Sequence, residues 1–227
     1  MKWQLVENSA GKYFRMKIGD TMLFVTTTDG FAPLRADGFK EKPVNLHQVH
    51  SDRIFIINRH FPQEGVDGDG LITFEKGLFV AVKTADCYPI FILDKESKVA
   101  SVVHAGWRGT KAKIVRKAVR LIKKLRGIEP SNLIAVFGPG ISGEYYEVGE
   151  DVARFFNHGL TRKDGRIFLD LLKENIAQLE DEGVREFVSP PGDTYSSPLF
   201  YSFRRDRMIK GLIWSIIGIG GSHGKNN

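Results

Sequence analysis

Short β-like segments fill most of the chain between residues 12 and 103, and they constrain the fold more than any other feature. Residues 12–27 have the pattern of a hairpin that turns at Gly19-Asp20. The segments that follow are rich in Val, Ile and Phe and lie at 44–49, 53–57, 70–74, 78–83, 89–93 and 98–103. Because strands cluster early in the chain and the helical patterns come later, the order argues against a regular βαβ alternation.

Helical periodicity begins only after this region. Apolar residues recur at helical spacing over 110–126, and we expect Thr110 to cap this helix and Gly127 to end it. Further helices are predicted at 149–157 and 168–182, and further strands at 133–137, 186–188 and 211–219. Because no repeat or low-complexity linker divides the chain, we predict a single catalytic domain over residues 1–227. Its expected class is α+β or a mixed-sheet α/β sandwich.

The positive charge of the chain is concentrated in one predicted helix. The net charge is +6, but segment 110–126 alone holds eight Lys and Arg and no Asp or Glu. The rest of the chain is nearly neutral. Proteins that bind single-stranded nucleic acid have aromatic residues among their basic ones, and this segment has none. We therefore interpret the helix as a solvated face and expect no nucleic-acid partner.

The sequence also favours a reducing compartment. Cys87 is the one cysteine, so no disulfide can form within the chain. The N-terminal residues lack the apolar core of a signal peptide, and no apolar run reaches the ~18–20 residues of a membrane helix. We expect a cytoplasmic monomer without a membrane partner.

Three potential metal ligands follow or end predicted strands: His50, Cys87 and His104. Two imidazoles and one thiolate form a three-ligand set with an open fourth position, which is typical of catalytic zinc. Copper also suits these ligands and binds more tightly than zinc. A rival interpretation makes Cys87 a nucleophile and His104 its base, and the spacing does not separate the two.

Other polar residues lie close to these three in sequence. In HAGWRGT a strand runs into two glycines, Arg108 and a helix start, a pattern that favours a bound phosphate. Asp69 and Asp86 are candidates for acid/base catalysis or for orienting the ligands. Tyr146 and Glu147 are further candidates for a pocket, and the FRRD cluster at 203–206 for an anion site or for surface ion pairs.

Six motifs resemble the YfiH family, also called the laccase-domain or polyphenol-oxidase-like family. In chain order they are QVHSD, ADCYPI, VHAGWRGT, GPGISGEYYEVG, FLDLLKENIAQL and FRRD. The resemblance covers roughly residues 20–220, and HAGWRGT and the Asp-Cys motif are its most specific parts.

This resemblance implies a single-domain mixed α/β fold similar to a cytotoxic deamidase domain that uses a Cys/His pair. It implies zinc at His50, Cys87 and His104. Members of the family resemble purine nucleoside phosphorylases that also deaminate adenosine and cleave methylthioadenosine. Others are described as copper-dependent phenol oxidases, or resemble a peptidoglycan editing factor.

The chain departs from the family pattern in two places. Many members carry arginine near the position of Asp29, which leaves Arg35 as a replacement for any substrate contact. Many members also read Cys-Thr where this chain reads Asp193-Thr194, which argues against a role for a cysteine pair.

Among the implied functions, the residues favour the phosphorylase. A four-copper laccase uses on the order of ten histidine ligands, whereas this chain has six histidines. A phosphorylase needs a phosphate site, which Arg108 and the helix after it would supply. The predicted partners are a purine nucleoside and phosphate, with Asp86 and Asp69 as candidate proton carriers for deamination.

Overall fold

The computed structural model describes residues 1–62 and 65–220, in which two β-sheets pack face to face and helices cover the second sheet. The strands are β1 Gln4–Asn8, β2 Gly11–Ile18, β3 Thr21–Thr26, β4 Ile54–Ile57, β5 Gly70–Thr73, β6 Phe79–Thr84, β7 Tyr88–Asp94, β8 Ala100–Ala105, β9 Leu133–Phe137, β10 Glu147–Val148, β11 Leu160–Lys163, β12 Arg166–Leu169, β13 Glu186–Val188 and β14 Ile213–Ile219. The helices are α1 Ala32–Ala36, α2 Trp107–Lys111, α3 Ile114–Arg126, α4 Glu150–Ala153, α5 Leu171–Asp181 and α6 Phe203–Asp206. The predicted mixed α+β class is confirmed.

The first sheet has the order β1-β2-β3-β14-β6 and is antiparallel throughout. The hairpin predicted at 12–27 forms β2 and β3, with Gly19 at a positive φ of 57° in the turn. The predicted closing strand is β14, which lies between β3 and β6 and so joins the two ends of the chain in one sheet.

The second sheet has the order β13-β9-β7-β8-β5-β4. Its two outermost strand pairs are parallel and its inner pairs are antiparallel. Every residue of β7 and β8 is buried, because the first sheet covers one face and helices cover the other. Strands buried on both faces have continuous apolar runs, which explains the strong sequence signal at 89–93 and 98–103.

The basic segment forms two helices rather than one. The expectation that Thr110 caps the helix is wrong: Thr110 lies buried inside α2, where its hydroxyl accepts a hydrogen bond of 2.9 Å from Asn175. Lys113 breaks the helix in a left-handed conformation with φ 61°, and α3 begins at the next residue. The predicted stop at Gly127 is confirmed, since this residue ends α3 with φ 65°.

Acidic residues of other elements pair with the basic face of α3. Arg120 makes two hydrogen bonds, of 2.9 and 2.7 Å, with Glu182. The other cross-element pairs are Arg116 with Asp181 and Glu182, Lys117 with Asp52, and Lys123 with Glu129. The helix is thus a neutralised, solvated face over much of its length. None of the described helices combines the length and apolar character that a membrane span requires.

Three other element boundaries differ from prediction. Segment 44–49 is no strand and makes only isolated bridges at Val44 and His47. The helix expected at 149–157 is the single turn α4, and the one expected at 168–182 begins at Leu171, where Asp170 caps it with its side chain. Residues just before α5 form β12, in a small sheet of order β10-β12-β11 that the local pattern did not predict.

The helix break at Lys113 yields a stability prediction. A left-handed φ costs a non-glycine residue about 1–2 kcal/mol, and glycine relieves this cost while losing some backbone entropy. We expect Lys113→Gly to raise the free energy of unfolding by about 0.5–1 kcal/mol. Lys124→Gly in α3 is the matched control and should lower it by a similar amount. Chemical denaturation measures both, and a loss of stability in Lys113→Gly would contradict the described break.

Candidate metal centre

His50, Cys87 and His104 come together at one end of the second sheet. Their ligand atoms all lie within 4.8 Å of one another. The two imidazole rings meet edge to face, with 4.8 Å between ring centroids. His104 is buried, Cys87 is half-buried and His50 is exposed, so the cluster opens toward solvent on the His50 side. The sequence-predicted set is therefore a candidate metal-binding group in the folded chain.

The register of two strands places Cys87 beside His104. In the β7–β8 pair, Tyr88 lies opposite Ala105 and Pro89 lies opposite His104, so Cys87 is just beyond the paired region. The chain then turns at Gly106, where a Cβ atom would lie only 2.7 Å from the Cys87 sulfur. Glycine is required here by close approach rather than by an unusual φ.

Asp69 connects the two histidines. Its side chain is fully buried, and Oδ1 accepts hydrogen bonds from His104 Nδ1 at 2.8 Å and from the His50 amide at 3.1 Å. The other oxygen accepts from the Ser51 amide at 2.6 Å and from the Ser51 hydroxyl at 2.7 Å. These bonds hold the 49–51 segment around the carboxylate, with His50 in a left-handed conformation at φ 59°.

This contact determines which nitrogen of His104 can bind a metal. Burial raises the pKa of Asp69, but the bonds from His104 and Ser51 outweigh it and lower the pKa to about 2. Because Asp69 is ionised, Nδ1 of His104 carries the proton it donates, and Nε2 is left as the ligand atom. Asp69 therefore orients a ligand, one of the two roles expected for it from the sequence.

The thiol of Cys87 is readily ionised. Burial raises its pKa, but His104 and His50 outweigh this effect and bring the pKa down to about 6. For His104, burial lowers the pKa, whereas Cys87 and Asp69 raise it to about 9. Both shifts favour a thiolate beside an imidazolium at neutral pH when no metal is bound. A thiolate is the form that binds metals and also the form that acts as a nucleophile.

Asp86 precedes Cys87 but makes its contacts with other segments. One carboxylate oxygen accepts from the Thr194 hydroxyl at 2.7 Å, and the other accepts from the Arg204 amide at 2.7 Å. Its carbonyl accepts from the Ile141 amide at 2.9 Å. Asp86 itself has a φ of 89°, an unusual value for a residue with a Cβ. The three hydrogen bonds of Asp86 connect the Cys87 turn to the segments that contain Ile141, Thr194 and Arg204.

Arg108 lies two residues after Gly106 and is exposed, with its guanidinium 4.5 Å from the centre of the Trp107 ring. The expected long basic helix does not begin there: the helix that does is the five-residue α2, and α3 begins only at Ile114.

The FRRD cluster divides into two different arginines. Arg205 donates to the carbonyls of 194, 195, 197 and 200 and pairs with Asp206, so it is built into the loop. Arg204 instead lies over the Tyr146 ring, 5.2 Å from its centre. The sequence did not distinguish the two, because the distinction arises from loop contacts distant in the chain.

The two departures from the family pattern have structural roles. Asp193 accepts from the Ser142 amide at 2.5 Å and from the Ser196 amide at 2.6 Å, which joins two loops. Asp29 accepts from the Lys12 amide at 2.8 Å. Arg35 donates to the Phe39 carbonyl at 2.7 Å, so its contact lies in the segment that follows α1.

The contacts of Asp69 yield a prediction about metal affinity. We expect Asp69→Asn to weaken metal binding about 10- to 100-fold, because an amide would place a donor against the donors that surround it. Chelator competition measures the affinity. The matched control is Asp67→Asn, since Asp67 bonds the exposed His47 at 2.8 Å outside the cluster. Unchanged affinity in a folded Asp69→Asn protein, or an equal loss in both variants, would contradict the assignment.

Comparison with known proteins supports a common origin over most of the chain. Residues 26–220 match the family model described as multi-copper polyphenol oxidoreductase laccase. The chain is 40% identical over 197 residues to the purine nucleoside phosphorylase of Deinococcus radiodurans, covering 84% of this chain and 72% of that protein.

Solved structures show the same fold. The YlmD protein of Geobacillus stearothermophilus superposes with a TM-score of 0.83 at 26% identity, covering 96% of this chain and 99% of that one. The YfiH protein of Bacillus licheniformis superposes with a TM-score of 0.75 at 30% identity, covering 82% and 78%. The resemblance seen in the motifs is confirmed, and the chain belongs to the YfiH family, whose model is described as multi-copper polyphenol oxidoreductase laccase.

Proposed function

We propose that this protein is a zinc-dependent purine nucleoside phosphorylase, with accompanying adenosine deaminase activity. The observation that carries the proposal is the convergence of His50, Cys87 and His104 within 4.8 Å, in a chain whose relative is named a purine nucleoside phosphorylase. The proposed substrates are adenosine, inosine, guanosine and methylthioadenosine, each with phosphate. We further propose a single cytoplasmic domain that acts as a monomer.

The donor set supports zinc as the bound ion. Two imidazole nitrogens and a thiolate leave one of four tetrahedral positions open, as in catalytic zinc sites. The pKa of Cys87, about 6, means that its thiolate is available at neutral pH. When bound, zinc would act as a Lewis acid that stabilises negative charge on an adjacent oxygen.

In the proposed reaction a phosphate oxygen forms a bond to C1′ of the ribose. The bond from C1′ to N9 of the purine breaks, and the base leaves with the electron pair and takes up the proton that the attacking hydrogen phosphate loses. Arg108 is the proposed phosphate ligand, since its guanidinium fork matches a phosphate oxygen pair. Asp69 keeps His104 and the 49–51 segment in place through this step.

For the deaminase activity, water replaces the amino group at C6 of adenine and ammonia leaves. Asp69 and Asp86 were the candidate proton carriers. Asp69 is fully buried and surrounded by donors, and Asp86 uses one oxygen for Thr194 and the other for Arg204. We therefore propose that both aspartates position the site rather than carry the proton.

A copper-dependent polyphenol oxidase is the weaker alternative. Within residues 1–62 and 65–220, the cluster at His50 is the one group of three or more such ligands that could hold a metal. A multicopper site needs several groups of histidine ligands. His47, the histidine nearest to His50 in sequence, is 73% exposed and pairs with Asp67 instead of joining the cluster. A single copper at the cluster is the form of this alternative that the ligands still support.

The second alternative is a Cys/His hydrolase, as in the peptidoglycan editing interpretation. One observation favours it: Cys87, His104 and Asp69 form a chain of nucleophile, base and orienting carboxylate. His50 distinguishes the two proposals, because a metal site uses it as a ligand and a hydrolase of this type needs only one histidine.

A product assay tests the proposed function. With zinc-loaded protein we expect ribose 1-phosphate from inosine only when phosphate is present, and ammonia from adenosine with or without phosphate. Cys87→Ala should lose bound zinc and both activities, whereas His47→Ala should keep them because His47 lies outside the cluster. Full activity in a metal-free Cys87→Ala protein, or no product from any of the nucleosides, would contradict the proposal.

Alkylation separates the metal site from the hydrolase. We expect iodoacetamide to modify Cys87 rapidly in the metal-free protein, because the thiolate is the reactive form. Zinc should slow the modification of Cys87 strongly in the wild-type protein and only weakly in His50→Ala. Mass spectrometry measures both rates. Equal alkylation rates with and without zinc would favour the nucleophile.

A further inference from the structure

We infer that Arg204 is a second phosphate-binding residue of this site, acting together with Arg108, and that Asp86 is the residue that positions it. This inference rests on the proposed phosphorylase function, since it concerns the phosphate substrate of the same site. It is carried by the contacts of Asp86, by the incomplete bonding of Arg204 and by the location of Tyr146.

Asp86 brings the backbone of Arg204 next to the Cys87 turn. The Arg204 amide donates to Asp86 at 2.7 Å, and Asp86 directly precedes Cys87. The second oxygen of Asp86 is bonded by Thr194, which is fully buried. Position 204 is therefore held at the residue before Cys87, although it is distant from Cys87 in sequence.

The side chain of Arg204 has donors to spare. Its one hydrogen bond to the described part of the chain goes from Nη1 to the Glu147 carbonyl at 2.9 Å, and it has no carboxylate partner there. A guanidinium has five N–H donors. The neighbouring Arg205, in contrast, donates to four carbonyls and pairs with Asp206. Arg205 thus has a structural role, while Arg204 retains a free edge for a ligand.

Tyr146 is the aromatic contact of Arg204, and its pKa responds to the charges of Cys87 and Arg108. The Arg204 guanidinium lies 5.2 Å from the centre of the Tyr146 ring. Burial and the Cys87 thiolate raise the pKa of Tyr146 to about 12, and the charges of Arg204 and Arg108 act on it in the opposite direction. The Tyr146 hydroxyl has no hydrogen-bond partner among the described residues, so it can donate to a ligand.

Two guanidinium groups and a hydroxyl donor form a suitable set of ligands for a dianionic oxyanion. Arginine binds phosphate through paired N–H bonds, and such charge-assisted bonds are about twice as strong as neutral ones. Arg108 rests on Trp107 and Arg204 on Tyr146, so both side chains are held by aromatic rings rather than extended freely into solvent. This arrangement reduces the entropy lost when phosphate binds.

The test measures binding of inorganic phosphate to the zinc-loaded protein by calorimetry. We expect Arg204→Gln to raise the Kd for phosphate about 10- to 100-fold, corresponding to loss of charge-assisted bonds. Zinc content should stay unchanged, and Arg204→Lys should recover part of the affinity. Arg126→Gln is the matched control, because Arg126 also lies over an aromatic ring, 4.3 Å from the centre of Phe74, at the far end of α3.

Asp86→Asn tests the positioning role. We expect an intermediate rise in the Kd for phosphate and a matching rise in the KM for phosphate, while the KM for the nucleoside changes little. If Asp86 were needed only for folding, the zinc content would fall and the KM for the nucleoside would rise along with the Kd for phosphate. Thermal unfolding identifies a variant that has not folded, and the Arg204 variants then test the anion site separately.

The outcomes separate this inference from the proposed function. Phosphate binding that depends on Arg204 in a protein without phosphorolysis would support the anion site and contradict the phosphorylase. Phosphorolysis with an unchanged phosphate Kd and KM in Arg204→Gln would support the phosphorylase and overturn the inference. Absence of phosphate binding to the wild-type protein at millimolar concentration would also overturn it.

Discussion

The buried carboxylate of Asp69 is the interaction on which the site depends. It holds the ring of His104 through Nδ1 and the backbone of the 49–51 segment through amide groups. An ionised group at zero exposure is costly unless donors surround it, and here ligand-bearing parts of the chain supply those donors. The same bonds that stabilise the buried charge therefore set the geometry of two of the three potential ligands.

The third ligand is placed by strand register and by a second aspartate. Cys87 lies at the end of β7 because β7 pairs with β8 along its length, and Gly106 lets the next turn pass against the sulfur. Asp86 then anchors the loops that carry Thr194 and Arg204. The two aspartates therefore have different contacts. Asp69 orients the candidate metal ligands, and Asp86 connects the Cys87 turn to the loops that we propose bind the substrate.

Much of the fold could be predicted from local pattern, and the failures have identifiable causes. The buried strands β7 and β8 and the hairpin of β2 and β3 were predicted because apolar runs and turn residues are local signals. The break at Lys113 was missed because lysine gives no local sign of a left-handed φ. The small sheet of β10, β11 and β12 was missed because its strands have only two to four residues each.

The residue types by themselves determined the chemistry: two histidines and one cysteine at strand ends, a concentrated basic helix, and motifs specific enough to identify the family. Tertiary structure alone decided how those residues act. Thr110 became a buried contact instead of a cap, much of the basic helix became paired with acidic residues, and Arg205 and Arg204 took different roles. The reason is physical: side-chain chemistry is local, whereas burial, register and hydrogen-bond partners depend on segments that only folding brings together.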